Sequence, residues 1–318
     1  MSNEALDLYV KTRKDWDKFS SVRSSEETYN LNLDDISIQK NLSWHLPTYS
    51  TILQHNDLRS LSDEDKKFVM GAQLLEFVEK TSVLELEYIN KVAINLALGK
   101  YNFEIPKLLQ LDALKLYTDE GYHAYFSKKM SDEIKQYYKI EDDLTPFLKG
   151  FFTKVENIGS NFGKKYKYLA ELSSIIVSET TIVQDMSNEM KDVVYEPIRI
   201  MFKDHMFDET FHANYFSTVF KIIWPQLSNH EKEIMGLNML ESIKLLSKPR
   251  VDIYYYSLSK LGYSNEFISK CIKDIFYSNE NNIINMKKRA SKILKLLHRC
   301  GVFKVSSVNK AYKKEGLV

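Results

Sequence analysis

The chain has 318 residues, 44% of them hydrophobic, and its 44 basic and 43 acidic side chains leave a net charge of +1. That length can bury a full core, as one large domain or two small ones. The balanced charge, with no basic stripe, argues against a nucleic-acid partner, and the tail lysines Lys310, Lys313 and Lys314 read as a solvated terminus.

With only 10 glycines and 6 prolines and little strand-like alternation, the pattern predicts an all-α fold. The chain opens on polar residues (Ser2, Asn3, Glu4, Asp7) without a signal-peptide pattern. Up to about Asp63 it predicts a polar helix and an irregular segment containing Trp44-His45-Leu46-Pro47. Ser62-Asp63-Glu64-Asp65 has the form of a helix start, with carboxylates in the first turn. The helix that follows runs through Leu74, Leu75, Val78, Leu84, Ile89 and Val92 towards Gly99. Pro106 opens a second helix, reaching about Met130, and a third spans about Asp142 to Phe162.

The fourth, about Tyr166 to Asp192, holds the longest apolar run, Leu172 to Val183. Ser173, Ser174, Ser178 and Glu179 interrupt it, so no membrane span is expected. The fifth runs from about Pro197 to Trp224, where Pro225 stops it. Two or three shorter helices follow Pro249, one of them the basic amphipathic stretch Met286 to His298. Cys271 and Cys300 form no CxxC pair and fit a reducing, cytoplasmic setting. No low-complexity linker divides the chain. The expectation is one domain over 1–318, with a bundle core at about 64–224 and helical extensions at 1–63 and 225–318.

Two short runs carry the chemistry: Asp119-Glu120-Gly121-Tyr122-His123 and Asp208-Glu209-Thr210-Phe211-His212. Each holds a Glu and a His three apart, which share one helix face and can point at one metal ion. Two Glu-x-x-His turns, with a lone Glu from each of two other helices, make the dinuclear carboxylate site of four-helix bundles. Glu179, set among Ile175, Ile176, Ile182 and Val183, is one lone acid, because a carboxylate there is costly unless it is used. The other is Glu85, favoured over Glu79 and Glu87 because Leu84, Tyr88, Ile89 and Val92 place it by the buried seam.

His205 precedes Glu209 by one turn; at about 100° per residue, His205, Glu209 and His212 fall within roughly 60° of one another. Carboxylates with imidazoles suit iron or manganese, and four glutamates neutralise two divalent ions. Asp119 and Asp208 are candidate acceptors for the far nitrogen of a ligand histidine. His45, His55, His230 and His298 have no partner at ligand spacing and read as structural.

The ordered set Glu85, Glu120-x-x-His123, Glu179, His205-x-x-x-Glu209-x-x-His212 resembles the p-aminobenzoate N-oxygenase (AurF-like) diiron family, over about residues 60 to 230. The histidine one turn before the second Glu-x-x-His is that family's addition to the ferritin-like ligand set. The resemblance implies a ferritin-like bundle holding two iron ions, oxo- or peroxo-bridged, with O₂ as co-substrate and an external electron donor, a reductase, ferredoxin or small reductant. It implies N-oxygenation of an amine, an arylamine or an amino-acid derivative, to a hydroxylamine, nitroso or nitro product in natural-product biosynthesis. A homodimer is admissible. A substrate cavity is expected between the helices carrying Glu85, Glu179 and His205, lined by apolar and aromatic residues. Competing readings are a ferroxidase or iron-storage subunit, a diiron C-hydroxylase, and a radical-generating subunit for which Tyr122 is the candidate, against a packed aromatic.

Overall fold

The computed structural model describes residues 2–24, 29, 50–142, 144–160, 163–191, 193, 195–277 and 279–318. Trp44-His45-Leu46-Pro47 lies outside the described residues. Among those described the chain is all-α, with no strand. Helix α1 (Ser2–Thr12) is followed by two single turns, α2 (Trp16–Phe19) and α3 (Ser21–Ser24).

The body begins with α4 (Asp63–Val83). The Ser62 hydroxyl accepts from the Asp65 N–H, and Asp63, Glu64 and Asp65 oppose the helix dipole in its first turn. This helix continues through a π-helical turn (Leu84–Ile89) into α5 (Asn90–Ala97), and Gly99, at φ +60°, turns the chain away. Helix α6 (Lys107–Tyr138) starts behind Pro106 and runs past the expected end near Met130, because Ser131 and Ile134 stay buried. Helix α7 (Thr145–Ser160) starts a little later than expected, behind the non-helical Asp142 and Leu144. Helices α8 (Lys167–Met190) and α9 (Glu196–Ile223, with Pro197 in its first turn) complete the set of long helices.

Helix α10 (Asn229–Leu246), unexpected from the pattern, is entered through a Ser228–Glu231 capping box. The two or three expected C-terminal helices are five among the described residues: α11 (Asp252–Lys260), α12 (Asn265–Phe276), α13 (Asn279–Arg289), α14 (Ser291–Arg299) and α15 (Ser306–Lys314). The stretch 286–298, expected as one helix, is broken at the buried Ala290.

Helices α4 and α6 pack antiparallel: Gly71 faces Tyr138, Glu79 binds Ser131 (3.0 Å) and Lys135, and the Ser82 hydroxyl reaches the Ala124 carbonyl. Helices α8 and α9 make the second close pair, which completes the expected four-helix core. The apolar interior falls into two clusters. One gathers Val92, Leu109, Ile176, Phe216 and Met239; the other gathers Leu75, Phe126, Phe202, Ile253 and Ile268. A buried polar layer contains Glu85, Glu120, Glu179 and Glu209. The last three lie between the two clusters in sequence on α6, α8 and α9, and Glu85 follows Leu84 near the join on the first helix.

Helix α15 closes on α10 at Gly236, where a Cβ would stand 2.7 Å from Cγ2 of the fully buried Val308. Overpacking there costs roughly 1–3 kcal/mol, against about 1 kcal/mol gained from the helix preference of alanine over glycine. Gly236→Ala is therefore expected to lower the urea midpoint of unfolding with an unchanged m-value. An unchanged or higher midpoint would show that the α10–α15 joint yields freely.

Candidate metal centre

The π-helical turn sets the first ligand-type side chain. Its wider turn interrupts the α-helical register, and within it Glu85 is 1% exposed whereas Leu86 and Glu87 face solvent. Glu79, the other alternative on this helix, is held by Ser131 and Lys135. Helix α6 delivers Glu120 and His123 from one face, α8 delivers Glu179, and α9 delivers His205, Glu209 and His212 from successive turns. All seven side chains are buried, none more than 2% exposed.

These groups converge around two foci. Nδ1 of His123 lies 3.8 Å from Oε1 of Glu85, and His205 Nε2 lies 3.1 Å from the same oxygen. Nδ1 of His212 lies 3.8 Å from Oε2 of Glu179. Glu120 and Glu209 span the two foci. Glu120 sets Oε2 3.6 Å from His123 Nδ1 and Oε1 3.0 Å from His212 Nδ1. Glu209 sets Oε1 3.6 Å from His123 Nδ1 and Oε2 3.5 Å from His212 Nδ1. Two quartets thus have ligand atoms all within 4.8 Å of one another: Glu85, His123, His205 and Glu209, and Glu120, His123, Glu209 and His212. Glu179 belongs to neither quartet and approaches from the His212 side. Phe126 lies 5.6 Å from both the His123 and His205 rings and packs against them.

The donor atoms have few protein partners. Both oxygens of Glu85, Glu120 and Glu179, Oε2 of Glu209 and Nδ1 of His123 and His212 are buried without a hydrogen bond. Each such atom costs about 1–3 kcal/mol if left unmet, so the arrangement fits cations bound among them. Burial pushes Glu85 and Glu179 well above the usual carboxylate range, and neighbouring acids reinforce the shift. Burial also opposes charge on Glu120 and Glu209, but His212 and the other histidines hold both below their ordinary values. For His123, burial disfavours the cation, yet the hydrogen bond to Asp208 and the nearby Glu120 carboxylate raise it to about 10. Protons and metal ions compete for the same atoms.

The two aspartates that precede Glu120 and Glu209 are crossed. Asp208 on α9 bonds Nε2 of His123 on α6 (3.1 Å), and Asp119 on α6 bonds Nε2 of His212 on α9 (3.2 Å). Each bond leaves Nδ1 facing the cluster. Burial opposes charge on Asp208, but His123 and Ser21 hold its carboxyl below the usual range. Trp16, Ser20 and Ser21 in the N-terminal segment complete these carboxylates. The sequence carries no local sign of their role, since their partners lie about a hundred residues or more away.

The other candidates stay outside the cluster. His55 pairs with Asp274 at 3.3 Å, His230 packs on Tyr166 and His298 on Phe303, while His45 is not among the described residues. Tyr122 is half-buried in an aromatic group with Tyr29, Tyr125 and Phe126.

A family model described as "P-aminobenzoate N-oxygenase AurF" matches residues 20–301, and the chain belongs to that family. No curated protein matches it. No helix among the described residues is long and apolar enough to cross a membrane.

Because His123 and His212 both titrate above the ordinary imidazole value, a cation that takes their Nδ1 atoms must displace protons. Calorimetric Co²⁺ titrations at pH 7 in buffers of different ionisation enthalpy are expected to show net proton release, with affinity rising from pH 6 to pH 8. Proton uptake, or affinity falling with pH, would contradict the assigned competition.

Proposed function

We propose that the protein is a non-haem diiron oxygenase that uses O₂ to oxygenate the nitrogen of an amine. The observation that carries this reading is the pair of carboxylates, Glu120 and Glu209, each offering one oxygen to His123 and the other to His212. One iron would be held by Glu85, His123 and His205 and the other by Glu179 and His212, with Glu120 and Glu209 shared between them. Four carboxylates balance two divalent ions, and three imidazoles fill the remaining donor positions with neutral ligands. When bound, the iron pair supplies the activation of O₂, with electrons from an external donor. The family match supports oxygenase chemistry, and the extra histidine at 205 supports nitrogen as the atom oxidised.

The chain's own part is to shape and dry the reaction space. A cavity of about 670 Å³ opens between α4 and α8, with Leu84 and Ser178, the neighbours of Glu85 and Glu179, in its wall. Helix α9 does not line it; α11 and the C-terminal helices close that side, through Ile253, Tyr254 and Met286. The apolar and aromatic residues among its walls disfavour an ammonium and favour the amine form that has a lone pair. Lys80, Lys244, Lys248, Arg250 and Arg289 outnumber Glu76 and Glu315 along the same walls. That excess of positive charge suits an amine that carries a carboxylate, as both aminobenzoates and amino acids do. Such an enzyme would serve natural-product assembly, with a reductase, ferredoxin or small reductant as donor.

Iron-loaded protein incubated with reductant, ¹⁸O₂ and a panel of aromatic amines and amino-acid derivatives is expected to place label on nitrogen. Label on carbon alone would make it a C-hydroxylase, and iron oxidation without an organic product would make it a ferroxidase.

His205 offers the sharper test of the ligand set. Its Nε2 lies 3.1 Å from Oε1 of both Glu85 and Glu209, so His205→Ala removes one neutral donor and leaves the charge balance intact. The variant is expected to keep its helical spectrum and most of its iron while N-oxygenation falls about 100-fold, roughly 2.7 kcal/mol in barrier. Glu209→Ala is expected to lose the metal itself. Wild-type turnover in His205→Ala would remove His205 from the set.

A further inference from the structure

We propose that Trp16, Ser20 and Ser21 are positioning residues of the metal centre, acting through the two crossed aspartates. The assignment rests on the diiron reading above. Asp119 turns Oδ2 to His212, and its Oδ1 accepts from Trp16 Nε1 at 2.8 Å and from the Ser20 hydroxyl at 2.5 Å. Asp208 gives Oδ2 to His123 and to the Ser21 hydroxyl, and the Ser21 N–H lies 3.2 Å from both of its oxygens. Ser20, Ser21, Asp119 and Asp208 are all buried, none above 4% exposed.

Local geometry explains how two consecutive residues reach two different helices. Ser20 is extended, with φ −65° and ψ 139°, and in extended chain successive side chains point to opposite sides. Ser20 therefore meets Asp119 on α6, and Ser21 meets Asp208 on α9.

The consequence for the metal follows from the freedom of a carboxylate. The terminal torsion of aspartate is broad and nearly two-fold, so an imidazole bond alone does not fix the carboxylate plane. Donors on the far side do fix it, and they aim each histidine's Nδ1 into the cluster. Trp16 adds a barrier to its bond. It is half-buried, and a cavity of about 430 Å³ beside it also touches Asp119 and His212. Without the indole, water competes for Oδ1. Trp16 stands before the segment matched by the family model, which begins at residue 20.

The test is a Co²⁺ titration of the full chain, following the visible absorption of bound cobalt, in wild type, Ser20→Ala, Ser21→Ala, Ser21→Thr and Trp16→Phe. Outer partners of metal ligands are worth about 10- to 100-fold in affinity. Both alanine variants are expected to bind Co²⁺ within that range more weakly and with a shifted absorption band, at unchanged helical content. Ser21→Thr keeps the hydroxyl and is expected to recover affinity and spectrum; Trp16→Phe is expected to lose about tenfold. Wild-type affinity and band position in the alanine variants would overturn the proposal, as would an equal loss in Ser21→Ala and Ser21→Thr. Should a serine variant not fold, Trp16→Phe decides alone, because its position is half-exposed. Wild type binding fewer than two Co²⁺ would instead defeat the diiron reading.

Discussion

Four carboxylates and three imidazoles share one buried layer of a helical bundle, and nearly every other feature of the site answers to that burial. Charge taken out of water costs several kcal/mol per group unless it is met by opposite charge and hydrogen bonds. Glu85 and Glu179 show the cost in their raised titration, and Glu120 and Glu209 show the relief that adjacent imidazoles bring. The outward nitrogens of His123 and His212 are satisfied by aspartates, while their inward Nδ1 atoms make no hydrogen bond. A layer built this way is specific for occupants that bring positive charge.

The backbone supports the layer by separating its work from that of the hydrophobic core. Two apolar clusters flank the polar residues, so the long helices are held together above and below the cluster. The π-helical turn performs a related separation within one helix. It lets α4 present Leu74, Leu75 and Val78 to one cluster and α5 present Val92, Ala93 and Leu96 to the other, with Glu85 at the join. The crossed aspartates then tie α6 to α9, the two helices that carry the paired motifs.

Much of this was legible in the sequence, and what was legible had local causes. The all-α class followed from composition and periodicity, and the long helices from Ser62, Pro106, Pro197 and Pro225. Glu120, His123, Glu209 and His212 announced themselves by spacing, and Glu179 by its apolar neighbours; the structure brings these five together with Glu85 and His205. The aspartates were recognisable as histidine partners, but nothing in either motif says that each serves the other helix. Ser20 and Ser21 carry no signal of their role because their partners are non-local. The break at Ala290 was hidden by a helical pattern that continues through it, whereas α10 is marked by Ser228-x-x-Glu231 between Pro225 and Pro249.

The crossed tie also fixes an order of events for the growing chain. Ser21 and Asp208 are separated by 187 residues, and closing so long a loop costs entropy that only a largely folded body repays. While the ribosome is still making α6, the N-terminal segment has one of its two aspartates and the cluster has fewer than half its donors. Neither Glu-x-x-His turn can be completed on its own nascent helix. Any metal held by these seven side chains would therefore enter after synthesis of α9, and Ser20 and Ser21 are among the last residues to find their partners.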